Sequence, residues 1–274
     1  MTLVQELTAK GLMTPPDFVL NQTVYETKMG SQAYGCSEGD SDLDVYAFCM
    51  PPLGNVFPHL RGEFPGFGQN EKPFEVFQQH HMQDGDKEYD VSVYSVIKYF
   101  QLCMECNPNM VDSLFTRDED VLTQSNVSRL VRANRTLFLS KQANARYLGY
   151  AKSQVAKMKV KTKHENEKRD ADIKKHGYSL KEGYHLVRLA EEASMMLNEG
   201  DMDLKRHADL LKYVRAGGYT LAQLEQYLVD AEKRLLEAFE TTKLPETPNY
   251  PALRDLLLQC FEEYYGKLDF FVRK

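Results

Sequence analysis

The sequence predicts an α+β protein, with a small mixed-sheet domain over residues 1–95 and a larger helical domain over residues 96–274. Three observations carry that prediction. Short runs with strand character, Val24–Met29, Asp42–Met50, Phe74–His81 and Glu88–Tyr94, all fall before Ser95. Beyond Ser95 the apolar residues recur at helical spacing to the end of the chain, as in Val96, Ile97, Phe100 and Cys103. Helix starts punctuate that second part: Pro108 follows Asn107, and Ser179–Glu182 and Thr220–Gln223 have capping-box spacing.

The remaining elements follow in order. The first residues to about Lys10 suit a short amphipathic helix that Pro15-Pro16 breaks. Val24–Met29 leads into Gly30-Ser31, and Ser31–Tyr34 suits a single helical turn. The strand from Asp42 stops at Pro51-Pro52. Gly54–Lys72 is rich in Gly and Pro with Phe57, Phe64 and Phe67 interleaved, which suits a surface loop tacked down by aromatics, or a lid or base-stacking loop. Asp84-Gly85 turns the chain back into Glu88–Tyr94. Val121–Ser140 and Lys141–Val160 read as long amphipathic helices, and the helix opened by Ser179 ends before Gly200. A last helix covers about Ala252–Gly266.

A net charge of −6 over 274 residues argues against a general DNA-coating protein and leaves room for a local basic groove. No apolar run is long enough for a transmembrane helix, and Met1–Leu7 lacks the basic and apolar regions of a signal peptide. Five scattered cysteines suit a reducing compartment, so the expected location is the cytoplasm of a bacterial or phage-infected cell. Cys103 and Cys106 have ligand spacing without a second pair, and buried thiols are the expected reading.

The chemistry concentrates early in the chain. Residues two apart in a strand share a face, so Asp42 and Asp44 project together, opposite Leu43, Val45, Ala47 and Cys49. Adjacent carboxylates repel, and a divalent cation such as Mg²⁺ or Mn²⁺ resolves the repulsion. Asp90 stands opposite Tyr89, Val91 and Val93 on its own strand and is a candidate third carboxylate. Gly30 and Ser31 form a turn suited to close approach by phosphates. Together these residues describe metal-assisted nucleotidyl transfer: an acceptor hydroxyl attacks the α-phosphorus of a nucleoside triphosphate and pyrophosphate leaves.

The set Met29-Gly30-Ser31, Asp42-Leu43-Asp44 and Asp90 resembles the signature of the DNA polymerase β-type nucleotidyltransferase superfamily. More narrowly, the chain resembles the RNA ligase-associated, RlaP-type predicted nucleotidyltransferases, through Gly30–Gly35, Asn107-Pro108-Asn109 with Asp112–Phe115, Leu148-Gly149-Tyr150, Lys181–Leu189 and Val214–Gly217. Asp112 departs from an expected Glu and Gly183 from an expected Ala. The resemblance implies a mixed-sheet catalytic domain with a helical companion, Mg²⁺ and a nucleoside triphosphate, and by analogy an RNA end as acceptor.

Lys181, His185 and Arg188 lie at offsets of four and three on one helix, where they form an exposed polar face or, as the resemblance suggests, reach the triphosphate across a cleft. Arg215 is a weaker candidate that also suits a helix C-terminus, and Asp112 reads as a capping or salt-bridged residue. His80-His81 ends a strand near the cleft, and metal ligation there is the minor reading. Lys157–Lys175 mixes eight cationic residues with Glu165, Glu167, Asp170 and Asp172, and so suits a solvated linker more than an RNA-binding arm. Competing functions are protein nucleotidylation (AMPylation), a non-catalytic nucleotide-binding or antitoxin-like module, and a metal-dependent phosphodiesterase.

Overall fold

The computed structural model describes residues 1–37, 42–57, 72–159 and 167–268, apart from the side chains of residues 159 and 167–169. Ser41, most of the Gly54–Lys72 loop and the middle of Lys157–Lys175 therefore lie outside the described residues. Five strands, β1 (Thr23–Lys28), β2 (Leu43–Cys49), β3 (Val76–Asp84), β4 (Lys87–Ser95) and β5 (Val121–Gln124), form one mixed sheet in the order β3-β4-β2-β1-β5. The β2–β4 pair is parallel and the other pairs are antiparallel. The helices are α1 (Leu3–Ala9), α2 (Asp17–Gln22), α3 (Gly30–Ala33), α4 (Leu53–Val56), α5 (Val96–Met104), α6 (Pro108–Phe115), α7 (Asn126–Ala133), α8 (Gln142–Lys159), α9 (Glu167–His176), α10 (Leu180–Glu199), α11 (Ala208–Arg215), α12 (Leu221–Thr241) and α13 (Tyr250–Tyr265). The α+β class stands as the sequence predicts.

Strand alternation divides the apolar residues between two cores. Val45, Ala47 and Cys49 of β2 and Tyr89, Val91 and Val93 of β4 share a cluster with Val4, Leu7, Met13 and Val19, so α1, α2 and the loop between them cover that face. Glu26, fully buried in β1, fixes α1 there: its carboxylate accepts from the Leu3 and Val4 amides at 2.9 Å and from the Thr123 hydroxyl at 2.5 Å. An anion at the free amides of a helix start is favourable, and this one is left with hydrogen-bond partners despite its burial. The opposite face carries Tyr25 and Phe48 into the larger core, where the Phe48 ring lies 4.7 Å from that of Tyr99. That core continues without a break from the sheet into the helical body.

Helix α10 is the axis of the helical body and is buried along most of its length between α8, α11 and α12. Gly183 marks its closest approach to its neighbours. A Cβ at this position would sit 2.8 Å from Leu224 Cδ1 and 3.0 Å from Tyr178 Cε2, which accounts for glycine where the family resemblance leads one to expect alanine.

Two local expectations are corrected. Val121–Gln124 is an edge strand on β1, although the stretch reads as helical, because Ser125 caps α7 (its hydroxyl accepts from the Ser128 amide) and leaves the β-branched Val121 and Thr123 outside the helix. The capping box at Ser179 does not form: Ser179 Oγ and Glu182 Oε2 are both buried without a hydrogen-bond partner, whereas Thr220 and Gln223 cap α12 reciprocally. We expect Gly183→Val to destabilise the protein by about 1–3 kcal/mol in urea unfolding, from overpacking at the α10 crossing.

Candidate functional site

The parallel register of β2 and β4 sets Asp44 directly beside Asp90 and Tyr46 beside Ser92, so one face of the sheet carries Asp42, Asp44 and Tyr46 next to Asp90 and Ser92. Asp42 is exposed at the rim just before β2, and Asp44 and Asp90 are half-buried. Burial raises the Asp44 carboxyl above the usual carboxylate range, and the negative charges of Asp90 and Asp42 push it further, against the opposing charges of Lys181 and His80. Beyond Asp44, the Tyr46 phenol is pushed up to about 12 by burial and stays neutral.

Gly30 touches this group. Its φ is +60° and a Cβ there would overlap the Asp44 carboxylate, so both the backbone conformation and the space require glycine. The Met29 amide bonds the Asp44 carbonyl at 2.7 Å, which ties the turn to β2 immediately before the close approach. Ser31 follows in the first turn of α3 and is half-buried. Gly35 closes the turn at φ +67°, with the side chains of Ala208 and Lys205 packed where its Cβ would be.

Asp90 is held from the β3 side. A bulge between Gln79 and Met82 puts His81 at φ +57°, and its amide bonds Asp90 Oδ1 at 2.7 Å while His80 Nδ1 lies 3.6 Å from Asp90 Oδ2. Among the described residues, one set of three ligating side chains has its donor atoms within 4.8 Å of one another: His81, Glu88 and Asp90. Asp44 and Asp90 are thus neighbours in register, with Asp42 just before β2, and His81 rather than Asp42 or Asp44 joins Asp90 in the set with ligating spacing. Carboxylate oxygens with uncompensated like charge suit a hard divalent cation.

The helical wall divides the three α10 candidates. Lys181 is exposed, and its charge acts on Asp44. His185 is largely enclosed, its ring 4.9 Å from that of Tyr184, and its basicity is lowered well below the usual imidazole range, first by burial and then by the charges of Arg188, Lys181, Arg215 and Lys157. Arg188 does not share an exposed face with them. It is buried, bonding Asp112 Oδ2 at 2.5 Å, the Tyr34 hydroxyl and Asn109 Oδ1 at 3.3 Å, with Glu192 Oε1 at 3.5 Å. Asp112 is accordingly salt-bridged. Arg215 donates to the Cys36 carbonyl at 3.1 Å, at the far end of the turn.

One guanidinium serves two buried carboxylates in this cluster. Asp112 also accepts from the Tyr34 hydroxyl at 2.7 Å, and burial raises Glu192 well above the carboxylate range. Burial raises Asp112 as well, against the charge of Arg188 and the hydrogen bonds it accepts, so the two acids compete for one guanidinium. Cys103 and Cys106 are buried thiols raised by burial, as expected from the sequence. Sequence reasoning missed Tyr34 and Glu192, and weighed Lys157 only as part of a charged stretch. The signal for Tyr34 is a large aromatic inside an otherwise small, polar turn between Gly30 and Gly35; Glu192 and Lys157 look like ordinary surface charges.

A glycine pressed on a strand aspartate, with a second aspartate in register beside it, is the arrangement expected from the resemblance to polymerase β-type nucleotidyltransferases. The chain belongs to the RlaP family, described as the RNA repair pathway DNA polymerase beta family, whose model matches residues 12–263. It is 28% identical over 147 residues to an uncharacterized 38.9 kDa protein from the nrdC–mobD intergenic region of Enterobacteria phage T4, a match covering 51% of this chain and 40% of the phage protein. A nucleotidyltransferase-like protein from Exiguobacterium sibiricum 255-15 aligns with 98% of this chain and 90% of its own at 10% identity and a TM-score of 0.30. Among the described residues no helix is long and apolar enough to cross a membrane.

Two measurements follow from the electrostatics. Asp44→Asn removes the half-buried carboxylate that its neighbours repel, so in the presence of a chelator this variant is expected to melt a few degrees above the wild type. An unchanged or lower melting temperature would show that Lys181 already compensates the charge. Glu192 keeps its proton in the fold and releases it more readily when unfolded. Its contribution is therefore complete below the unfolded-state pKa and declines as pH rises towards the folded-state value. Relative to Glu192→Gln, the wild type should lose stability from weakly acidic to alkaline pH in parallel urea titrations.

Proposed function

We propose that this protein is a divalent-metal-dependent nucleotidyltransferase (EC 2.7.7 class) that moves a nucleoside monophosphate from a nucleoside triphosphate, ATP among the candidates, to the hydroxyl of an RNA end, releasing pyrophosphate. The observation that carries this reading is the contact of Gly30 with Asp44, itself paired in register with Asp90 and opposed by the charge of Lys181. The RNA repair description of the family supports RNA as the acceptor.

In this reading Asp42, Asp44 and Asp90 would hold Mg²⁺ or Mn²⁺, which would supply positive charge to the triphosphate and acidify the acceptor hydroxyl. The turn at Gly30-Ser31 receives the terminal phosphates, with Gly30 allowing the backbone to approach them. Lys181 meets the phosphates from the opposite wall, and Lys157 and Arg215 add to the positive field there. His185, whose basicity is lowered first by burial and then by that same field, accepts or donates a hydrogen bond without adding charge. A carboxylate near the acceptor takes its proton, and the pyrophosphate oxygen leaves against the turn. Arg188 serves this site only indirectly, since its guanidinium is committed to Asp112 and Tyr34.

The test is transfer of α-labelled phosphate. Each of the four labelled triphosphates, with Mg²⁺ or Mn²⁺, is offered to RNAs with free 3′ or 5′ ends and to protein. Label is expected in RNA with stoichiometric pyrophosphate, and none with Asp42→Ala or Asp44→Ala. Lys181→Ala should raise KM for the triphosphate about tenfold, the scale of one charge-assisted hydrogen bond. Label in protein alone would move the reading to protein nucleotidylation. Metal-dependent nucleotide binding with no transfer to any acceptor would sink the enzyme.

A further inference from the structure

We infer that Arg188 is a positioning residue: through Tyr34 and Asp112 it fixes the Gly30–Cys36 turn against α10, and so sets the distance between the phosphate-side turn and Lys181. The role assigned to that distance rests on the nucleotidyl-transfer reading. The turn is fastened at three points. At its start the Met29 amide bonds the Asp44 carbonyl at 2.7 Å. At its end Arg215 of α11 donates to the Cys36 carbonyl at 3.1 Å and lies 5.5 Å over the Tyr184 ring of α10. Between them stands Tyr34, buried to 3% exposure, whose hydroxyl donates to Asp112 Oδ2 at 2.7 Å and is also bonded by Arg188. The Arg188 guanidinium lies 4.5 Å from the centre of the Tyr34 ring.

Four elements meet at this guanidinium. Tyr34 follows α3, Asn109 and Asp112 belong to α6, Tyr147 of α8 bonds Asp112 Oδ1 at 3.4 Å, and Arg188 and Glu192 belong to α10. Arg188 sits three residues beyond His185 and seven beyond Lys181 on the same helix, so a shift of α10 at Arg188 is transmitted to both. A buried ion pair contributes little stability beyond an apolar pair of the same volume, but it fixes direction as well as distance. Direction is what an exposed lysine opposite Asp44 lacks on its own. The pair joins the turn to the helix that carries that lysine, where apolar side chains would hold the two together without fixing their register.

The test uses the full chain with Tyr34→Phe, Arg188→Met and Arg188→Lys, read in two ways. The first is hydrogen exchange of the backbone amides of residues 30–36 in the nucleotide-free protein. Tyr34→Phe removes one hydroxyl from a site that keeps its ring and should fold. Its exchange in that turn is expected to rise about tenfold, the scale of one lost buried hydrogen bond, with α13 unchanged. The second is steady-state kinetics: KM for the triphosphate should rise about tenfold with kcat within about twofold, and Arg188→Lys should recover part of what Arg188→Met loses. Folded Tyr34→Phe with wild-type exchange in residues 30–36 would overturn the inference, as would faster exchange spread equally over α13. If the wild type binds no triphosphate, the nucleotidyl-transfer reading fails, while the exchange result still decides whether Arg188 and Tyr34 position the turn.

Discussion

The approach of Gly30 to the Asp44 carboxylate constrains everything at this end of the sheet. It demands a residue without a side chain, in a left-handed conformation, between β1 and the single turn of α3. It also demands that β1 and β2 be antiparallel neighbours, so that the chain leaving β1 at Lys28 passes the start of β2, where Lys28 pairs with Val45. The Met29 amide on the Asp44 carbonyl holds the two strands together just before they diverge. With β2 and β4 parallel, Asp90 can then reach the same place only from its own register position.

Charge of opposite sign gathers on the sheet and on the helical wall. On the sheet, burial raises the proton affinity of Asp44, and the charges of Asp90 and Asp42 raise it further. On the helical wall, burial depresses the basicity of His185, and the charges of Arg188, Lys181, Arg215 and Lys157 depress it further. Each group of like charges is unfavourable alone. Under the proposed function a divalent cation would be held by the aspartates and a polyphosphate by the cationic wall, which would offset both groups. This complementarity supports a charged substrate more directly than any single side chain does.

Much of this was legible in the sequence because it follows from period-two alternation. Asp42 and Asp44 could be set on one face, and Asp90 opposite Tyr89, Val91 and Val93, without coordinates. The β2–β4 register was not legible, since strand pairing is a long-range property. The β3 bulge was hidden too: histidine is enriched among left-handed residues, but a slip in strand register cannot be read from one residue type. On α10, the offsets of Lys181, His185 and Arg188 were read correctly as angular positions. The angular argument could not say that the α10 face turns from solvent at Lys181 to the interior at Arg188, because that depends on α3, α6 and α8 closing over it. The same limit applies at Ser179, where burial of Glu182 overrode a local capping pattern.

The aspartate at position 112, where the family resemblance suggests glutamate, follows from what surrounds it. Its two oxygens already meet the Tyr34 hydroxyl at 2.7 Å, the Tyr147 hydroxyl at 3.4 Å and Arg188 at 2.5 Å. A side chain one methylene longer would carry the carboxylate into those donors unless α6 withdrew, and α6 is buried along its length, with Asn109 also bonded to Arg188. The space that a longer acid would take is shared with Glu192, whose carboxyl approaches the same guanidinium from α10. A short acid from α6 and a longer one from α10 thus share the guanidinium. The consequence is that the junction draws on α10 for both its cation and its second acid, so that it registers any movement of α10 relative to the turn at Tyr34.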